Sequence, residues 1–277
     1  MYATIRAVEY YLPEDILPNS VIAARFPEWT EKKIESKIGI VERHISGAEE
    51  FTSDMAVSAA RKLFASGVCT PEEIDFVLLC TQTPDYMLPT TACIVQAKLG
   101  LANTVGALDI NLGCSGYIYS LGFAKGLIET GQAKNVLLIT ADTYTKLIND
   151  GDKSIVTLFG DAASATLLSA TERETPSLSH FVYGTDGNGA SNLIVPNSGT
   201  RGKYDPDAPL VEDNMGNKRT QNNLYMNGGE IFTFTLTTVP ATLERMLTKA
   251  EVTLNDIDLV VFHQANLYML KHLQMKM

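Results

Sequence analysis

The sequence predicts an α/β fold in which one supersecondary unit occurs twice. Two observations support this: short apolar runs alternate with amphipathic stretches of helical length, and one helix, loop and strand pattern recurs at a constant offset of 183 residues. Such alternation is typical of largely parallel sheets with helices packed on their faces. The chain has 277 residues, 45% of them hydrophobic and 19% charged, so it is long enough to bury one large core or two modest ones.

Five apolar runs, most of them bounded by turn or polar residues, are predicted to be buried strands. They are Phe76–Cys80, Val105–Ile110, Val136–Ile139, Ala162–Leu168 and Leu259–Phe262. Four amphipathic stretches are predicted to be helices, and Pro240 is expected to kink or divide the last of them. They are Asp54–Ala65, Thr91–Leu99, Ser115–Thr130 and Glu230–Lys249.

The repeat indicates two similar α/β halves, predicted at 1–170 and 171–277, with a chance match of a common pattern as the alternative. It aligns Leu63-Phe64 with Met246-Leu247, Thr70 with Thr253, and the run from Ile74 to Leu79 with the run from Ile257 to Phe262. Only 15 residues follow Phe262, so we expect the second half to be incomplete. The Gly-, Asn-, Asp- and Pro-rich stretch 184–229 is expected to be a lid, an inserted hairpin or a mobile loop.

Composition disfavours several classes of protein. The formal charge of −10 and the pI near 4.9 argue against general affinity for nucleic acid. No apolar run is long enough to span a bilayer and the start lacks signal-peptide features, which predicts a cytoplasmic protein without membrane contact. A basic group, Arg201, Lys203, Lys218 and Arg219, is interpreted as a solvated loop, with an acid-binding patch as the alternative. The four cysteines contain no CxxC pair, so neither a metal site nor a disulfide framework is predicted.

Cys114 is the strongest candidate for chemistry. It follows a predicted strand in the run Asp109-Ile110-Asn111-Leu112-Gly113-Cys114-Ser115-Gly116-Tyr117 and is expected in the first turn of a helix. A helix N-terminus favours a thiolate, which predicts a lowered thiol pKa, and its free N–H groups can receive an oxyanion. Gly113 and Gly116 would allow close approach of substrate and neighbouring atoms. The alternative is an inert buried cysteine, which we favour for Cys69, Cys80 and Cys93.

His263 is the second candidate, because it directly follows the predicted strand Leu259–Phe262 and precedes a predicted helix start. The carboxyl ends of parallel strands form the ligand-facing edge of such sheets, where a histidine can donate a proton or stabilise negative charge. A strand-end histidine bonded to backbone is the open alternative. Asn266 is predicted to cap the helix that begins at Leu267.

Six segments in this order resemble the ketoacyl-acyl carrier protein synthase III group of the thiolase superfamily, over nearly the whole chain. They are Gly39-Ile40-Val41-Glu42-Arg43-His44, Thr83-Pro84-Asp85 through Pro89-Thr90-Thr91-Ala92, the Cys114 turn, Phe159-Gly160-Asp161-Ala162, Met226-Asn227-Gly228, and His263-Gln264-Ala265-Asn266. The resemblance implies a thiolase-like fold of duplicated α-β-α-β-α layers, with the second half incomplete here.

The resemblance also implies a reaction. Cys114 would take an acyl group from a coenzyme A thioester, which is a substrate and not a permanently bound cofactor. The acyl group would then condense, with loss of carbon dioxide, with malonyl-acyl carrier protein, while His263 stabilises charge and Gly113, Ser115 and Gly116 shape the oxyanion turn. Leu88 resembles the residue that a partner subunit of a homodimer contributes to the acyl pocket.

Two departures from the family pattern bear on the site. The asparagine and glycine-rich loop expected beyond the histidine have no counterpart before Met277. Trp29, which with Lys37 resembles the coenzyme A site, stands further from Lys37-Ile38-Gly39 than in the best-known members. The alternatives are therefore a relative with another acceptor in secondary-metabolite or polysaccharide biosynthesis, or an impaired remnant that only folds or binds partners. A hydroxymethylglutaryl-type synthase is disfavoured because no glutamate lies near Gln82, and a thiolase because its second catalytic cysteine would lie in the missing part of the second half.

Overall fold

The structure is a computed structural model that describes every residue from Met1 to Met277. The strands are β1 (Tyr2–Tyr11), β2 (Asp15–Pro18), β3 (Glu42–Ile45), β4 (Phe76–Cys80), β5 (Gly106–Ile110), β6 (Asn135–Asp142), β7 (Ala162–Thr171), β8 (Leu193–Ile194), β9 (Val211–Glu212), β10 (Lys218–Arg219) and β11 (Tyr225–Met226). The α-helices are α1 (Asn19–Arg25), α2 (Glu31–Ile38), α3 (Thr52–Ala65), α4 (Thr91–Leu99), α5 (Gly116–Glu129), α6 (Lys153–Val156), α7 (Gly228–Ala250) and α8 (Leu267–Lys276). The predicted α/β class is confirmed.

The chain forms two compact units, each built from three segments. The first unit consists of Met1–Asp15, His44–Thr143 and Asp161–Phe181, and the second of Ile16–Arg43, Tyr144–Gly160 and Val182–Met277. The predicted division at residue 170 concerns duplicated halves, which these units do not test, and it stays a prediction.

A five-stranded mixed sheet in the order β1-β7-β6-β4-β5 organises the first unit. Strand β4 runs parallel to β5 and β6, whereas β7 is antiparallel to both β1 and β6. Val77 and Leu79 belong to the core cluster that contains Met55 and Leu63 of α3, and Leu78 belongs to the cluster that contains Leu121 of α5. Successive side chains of a strand point to opposite faces, so a strand covered by helices on both sides must be apolar throughout. This explains the uninterrupted apolar run Phe76–Cys80.

Four of the five predicted strands are confirmed, and the four predicted helices occur within two residues of their expected ends. The predicted strand Leu259–Phe262 is wrong: the segment has no regular secondary structure, and Leu259 and Val261 are about three-quarters exposed, at 77% and 76%. A strand needs neighbours that receive its backbone N–H and C=O groups, and no strand of the structure pairs with this segment. Pro240 was expected to kink or divide the last helix; it does not divide it, because α7 continues through it, and the kink stays a prediction.

The second unit has its own core around Ile22, Ile34, Ile38 and Val156. Helix α2 begins at the cap Thr30, whose hydroxyl accepts from Lys33 N at 3.2 Å, and ends at Gly39, which has φ +79°. A Cβ on Gly39 would lie 2.7 Å from Leu267 Cβ, so glycine serves both the left-handed turn and the approach of α8 to α2. The predicted cap of α8 is confirmed, since Asn266 Oδ1 accepts from Met269 N at 2.8 Å.

The irregular stretch 184–229 contains short paired strands, β8 with β11 and β9 with β10. Of the three expected interpretations, the inserted hairpin therefore fits best. Arg219 forms ion pairs with Asp152 at 2.6 Å and Asp213 at 2.8 Å, and Lys218 lies 3.5 Å from Glu212. Because Lys218 and Arg219 already have carboxylate partners, these two residues argue against an acid-binding patch.

Candidate active site

Three parallel strands of the first unit end at one edge of the sheet, and their ends carry the candidate site. In the register of the sheet, Cys80 at the end of β4 pairs with Ile110 on β5 and with Thr140 on β6. Directly after β4, Thr81 N donates to Ile110 O at 3.1 Å, which holds the chain against β5. Residues that follow these strands are therefore close to one another, as expected at the ligand-facing edge of a parallel sheet.

Cys114 lies in the turn that joins β5 to α5. Gly116 N donates to Gly113 O at 2.8 Å, which closes the turn, and Ser115 occupies the cap position with its carbonyl accepting from Tyr119 N at 3.2 Å. The turn leaves Cys114 exposed. The expected position in the first turn of the helix is wrong by a short distance, because α5 begins at Gly116 and Cys114 precedes the cap. The sequence predicts the turn correctly. It does not predict the residue at which the helix begins, because that boundary depends on individual hydrogen bonds in the first turn.

Two glycines allow this turn to sit against the end of β4. A Cβ on Gly116 would overlap the Cys80 sulfur, and a Cβ on Gly113 would overlap Gln82 Oε1. The predicted close approach of neighbouring atoms at Gly113 and Gly116 is thus found, whereas the close approach of substrate stays a prediction. The Gly116 N–H is used by the turn itself, so it is not a free donor.

The pKa of the Cys114 thiol is raised, which corrects the expected lowering. Although the residue is exposed, surrounding protein desolvates its sulfur, and this is the largest effect on the pKa. The backbone N–H of Cys114 itself acts in the opposite direction, and the Asp142 carboxylate raises the pKa further. Because Cys114 lies outside the helix, it gains less from the helix terminus than the sequence suggested.

Asp142, at the end of β6, is a residue of this edge that the sequence analysis missed. Its Oδ1 accepts from Thr81 Oγ1 at 3.0 Å, Gln82 N at 2.7 Å, Thr83 N at 3.1 Å and Thr83 Oγ1 at 3.1 Å. We call these four residues the Asp142 network. Burial raises the pKa of Asp142 to about 6, against the lowering effect of the hydrogen bonds. An acidic residue at the end of an apolar strand was the available signal for it.

The other cysteines of the first unit are either buried or lie outside the turn between β5 and α5. Cys80 is 3% exposed, donates to Leu112 O at 3.1 Å, and has its pKa raised to about 11 by burial. Cys69 is buried as expected, whereas Cys93 is exposed on α4, so the expected burial is wrong for Cys93. No group of three or more His, Cys, Asp or Glu side chains is arranged to hold a metal ion.

Leu88 lies at the tip of a loop between β4 and α4. It is 87% exposed, and its neighbours Tyr86 and Met87 are 63% and 68% exposed. The base of the loop is fixed, because Asp85 accepts from Ser53 N at 2.9 Å and donates its own N–H to Thr91 Oγ1 at 3.0 Å. Three consecutive apolar side chains are therefore presented to the surroundings on an anchored loop.

The remaining predicted residues belong to the second unit. His263 is exposed in an irregular segment just before α8, and its carbonyl accepts from Ala265 N at 3.0 Å. Desolvation of the ring lowers the pKa of His263, which favours the neutral imidazole. Trp29 packs beside the core around Ile34, with Lys33 Nζ 5.1 Å from the ring centre, and Lys37 is exposed in the last turn of α2. The predicted coenzyme A role of Trp29 and Lys37 stays a prediction.

Comparison with known proteins supplies the family. The family description "3-Oxoacyl-[acyl-carrier-protein (ACP)] synthase III" matches residues 108–187, which include the Cys114 turn. A beta-ketoacyl-[acyl-carrier-protein] synthase III of Caldanaerobacter subterraneus subsp. tengcongensis is 36% identical over 256 residues, which are 92% of this chain and 74% of that protein. The chain belongs to the 3-oxoacyl-[acyl-carrier-protein] synthase III family.

Solved structures agree with this membership. A 3-oxoacyl-(acyl-carrier-protein) synthase III at 49% identity superposes with a TM-score of 0.98, over all of this chain and 82% of the other. The priming beta-ketosynthase of the R1128 polyketide pathway, at 28% identity, gives a TM-score of 0.84 over 98% of this chain and 77% of its own. The predicted thiolase-like fold is confirmed, and the synthase III family is one of condensing acyltransferases.

Proposed function

We propose that this chain transfers an acyl group from acyl-coenzyme A to Cys114 and condenses it with malonyl-acyl carrier protein to give a 3-oxoacyl product. The observation that supports this most directly is the exposed Cys114, held in a glycine-bounded turn at the carboxyl edge of three parallel strands. Family membership supplies the reaction class, and the site supplies a nucleophile of the right kind.

The proposed reaction has two half-reactions. In the first, the Cys114 sulfur bonds to the acyl carbon, the bond from that carbon to the coenzyme A sulfur breaks, and coenzyme A leaves as a thiol with the proton from Cys114. In the second, the malonyl group loses carbon dioxide, and the electron pair left on its α-carbon attacks the acyl carbon. The bond to Cys114 then breaks, and the thiolate takes a proton from solution. His263, neutral at pH 7, would donate a hydrogen bond to the thioester carbonyl on which negative charge develops.

We further propose that the protein acts as a cytoplasmic homodimer. Strand β5 lies at the edge of its sheet, where Leu108 is 38% exposed, and the loop that carries Leu88 presents three apolar side chains. Unpaired strand edges and contiguous apolar side chains are features that proteins cover by association. In such a dimer Leu88 would reach the partner's acyl pocket and limit chain length. No helix has the length and apolar character required to cross a membrane.

The first half-reaction is tested by incubating the protein with acetyl- or butyryl-coenzyme A and weighing it. We expect one acyl adduct, absent from Cys114→Ala and retained in Cys93→Ala, which removes the other exposed thiol of the chain. A wild-type protein without any adduct would contradict the proposal and favour a remnant that only folds or binds partners.

Malonyl-acyl carrier protein is then added to the acylated protein, and product is measured by mass spectrometry. A ketoacyl product bound to the carrier supports the fatty-acid-type reaction. Turnover with a different malonyl thioester, but not with carrier protein, would favour an acceptor from another pathway, which the likeness to the R1128 priming enzyme makes the second candidate.

A further inference from the structure

The end of β4 and the loop that follows it support the turn that carries Cys114 from two sides. Gln82 Oε1 occupies the space that a side chain at Gly113 would need, and the Cys80 sulfur occupies the space that a side chain at Gly116 would need. Gly113 and Gly116 flank Cys114, so the turn that carries the nucleophile packs against the buried Cys80 sulfur and against the end of the Gln82 side chain.

Asp142 is the group that holds this loop. Four donors from three consecutive residues, Thr81 to Thr83, converge on its Oδ1, and Thr143 N adds a hydrogen bond of 2.8 Å to Thr83 Oγ1. The backbone of the loop has no regular strand partner beyond Thr81, so these contacts replace the ladder of the sheet. Removing a buried acceptor leaves its donors unsatisfied, which favours rearrangement of the loop.

We propose that Asp142 is a positioning residue for the Cys114 nucleophile, acting through the loop Thr81–Thr83 and the contacts of Cys80 and Gln82 with the turn. The role rests on the proposed acyl transfer, which it deepens. Misplacement of a nucleophile by about 1 Å can lower a rate about a hundredfold, so a loop that fixes the turn affects catalysis without contacting substrate.

The charge of Asp142 has a separate effect that can be measured. The carboxylate raises the pKa of the thiols of both Cys114 and Cys80, because a nearby negative charge disfavours a thiolate. Asp142 is the charged group that acts on both thiols. Loss of the charge alone and loss of the hydrogen-bond acceptor should therefore act differently: the first makes Cys114 more acidic, and the second displaces it.

The test uses Asp142→Asn, which removes the charge but keeps Oδ1, and Asp142→Ala, which removes both. For each variant, the rate of alkylation of Cys114 by iodoacetamide is measured against pH by peptide mass spectrometry, and acyl transfer from acetyl-coenzyme A is measured separately. We expect the apparent pKa of Cys114 to fall in both variants. Acyl transfer should fall by about tenfold or more in Asp142→Ala and substantially less in Asp142→Asn.

Asp75→Asn is the matched control. Asp75 ties the amino-terminal ends of the same strands, since its Oδ2 accepts from Lys134 N at 2.7 Å and Asn135 N at 2.8 Å. We expect no change in the alkylation profile of Cys114. An equal shift in the control would overturn the proposal, as would wild-type acyl transfer by Asp142→Ala or equal losses in both Asp142 variants.

One of the two measurements, the alkylation of Cys114, does not depend on the proposed function. Alkylation needs no acyl-coenzyme A, so a shifted alkylation profile in a protein that forms no acyl adduct would remove the function but retain the coupling of Asp142 to Cys114. If Asp142→Ala does not fold, Thr81→Val decides instead, because it removes the hydroxyl that donates to Asp142 Oδ1 and accepts from Thr83 N, and wild-type acyl transfer in that variant contradicts the proposal.

Discussion

The two copies of the internal repeat share their local structure but differ in the segment that comes after the shared turn. In each, a helix is followed by a 3-10 turn with the same cap: Thr70 N donates to Glu73 Oε2 at 2.7 Å, and Thr253 N donates to Asp256 Oδ2 at 2.8 Å. The first copy continues into β4, whereas the corresponding residues of the second copy, 259–263, have no regular structure. Short-range hydrogen bonds thus follow from the local sequence, while a strand requires partners elsewhere in the chain.

The largest expected difference concerns the residues at the centre of the two apolar runs. Leu78 in β4 is fully buried, and its counterpart Val261 is 76% exposed. We expect Leu78→Ala to lower the free energy of unfolding by about 2–5 kcal/mol, because it leaves a cavity. The change Val261→Ala should alter it by about 0.5 kcal/mol or less.

Urea unfolding of both variants and of the wild type measures this difference. Equal losses in the two variants would show that the run 259–262 is buried in solution, and the contrast between the copies would then be wrong.

The residues that end the two runs should respond to pH in opposite directions. Desolvation favours the neutral form of both: it lowers the pKa of His263 from 6.5 and raises the pKa of Cys80 from 9.0 to about 11. The unfolded chain binds more protons than the folded chain just below pH 6.5, so His263 makes stability fall as pH decreases through that range. Between pH 9 and about 11 the folded chain retains the Cys80 proton longer, so stability falls as pH rises.

Histidine NMR titration and unfolding free energies between pH 5 and 10 check these signs. His263→Gln should flatten the acidic side only, and Cys80→Ala the alkaline side only. A His263 pKa at or above 6.5 in the folded protein would contradict the first sign.

The smallest expected effect concerns the two caps, for which the copies should behave alike. Glu73→Ala and Asp256→Ala each remove the carboxylate that accepts from the N–H of a threonine cap. Both caps are exposed, so we expect each variant to lower Tm by about 2 °C or less, and by similar amounts. Thermal unfolding followed by circular dichroism measures this, and a large loss in only one variant would show that the turns differ in tertiary role.

The sequence predicted the parts of the fold that have periodic apolar patterns. The run Phe76–Cys80 is found as a strand with the expected bounds, and α4 is found at Thr91–Leu99. Strand β1, Tyr2–Tyr11, was missed because it lies at the edge of the sheet, where its exposed side chains weaken the apolar pattern. The run Leu259–Phe262 was predicted wrongly, because an apolar pattern indicates that a segment is suited to a sheet but not that partner strands are present.

For the site, the sequence indicated the turn of Cys114 and the cap at Asn266, because both depend on neighbours in the chain. It gave the wrong direction for the thiol pKa, since desolvation and the charge of Asp142 come from residues distant in sequence. The same distance hid the Asp142 network: Thr81 and Asp142 are 61 positions apart and meet only through the pairing of β4 with β6.

The close approach of Gly116 to Cys80 constrains how this enzyme can evolve. A side chain at position 116 would occupy the space of the Cys80 sulfur, so residue 116 cannot gain a side chain while position 80 keeps its sulfur. A methyl group at 116 becomes acceptable only when position 80 has already lost its sulfur. Among descendants, an alanine at 116 should therefore be deleterious unless position 80 has first changed to a residue without the sulfur, such as alanine.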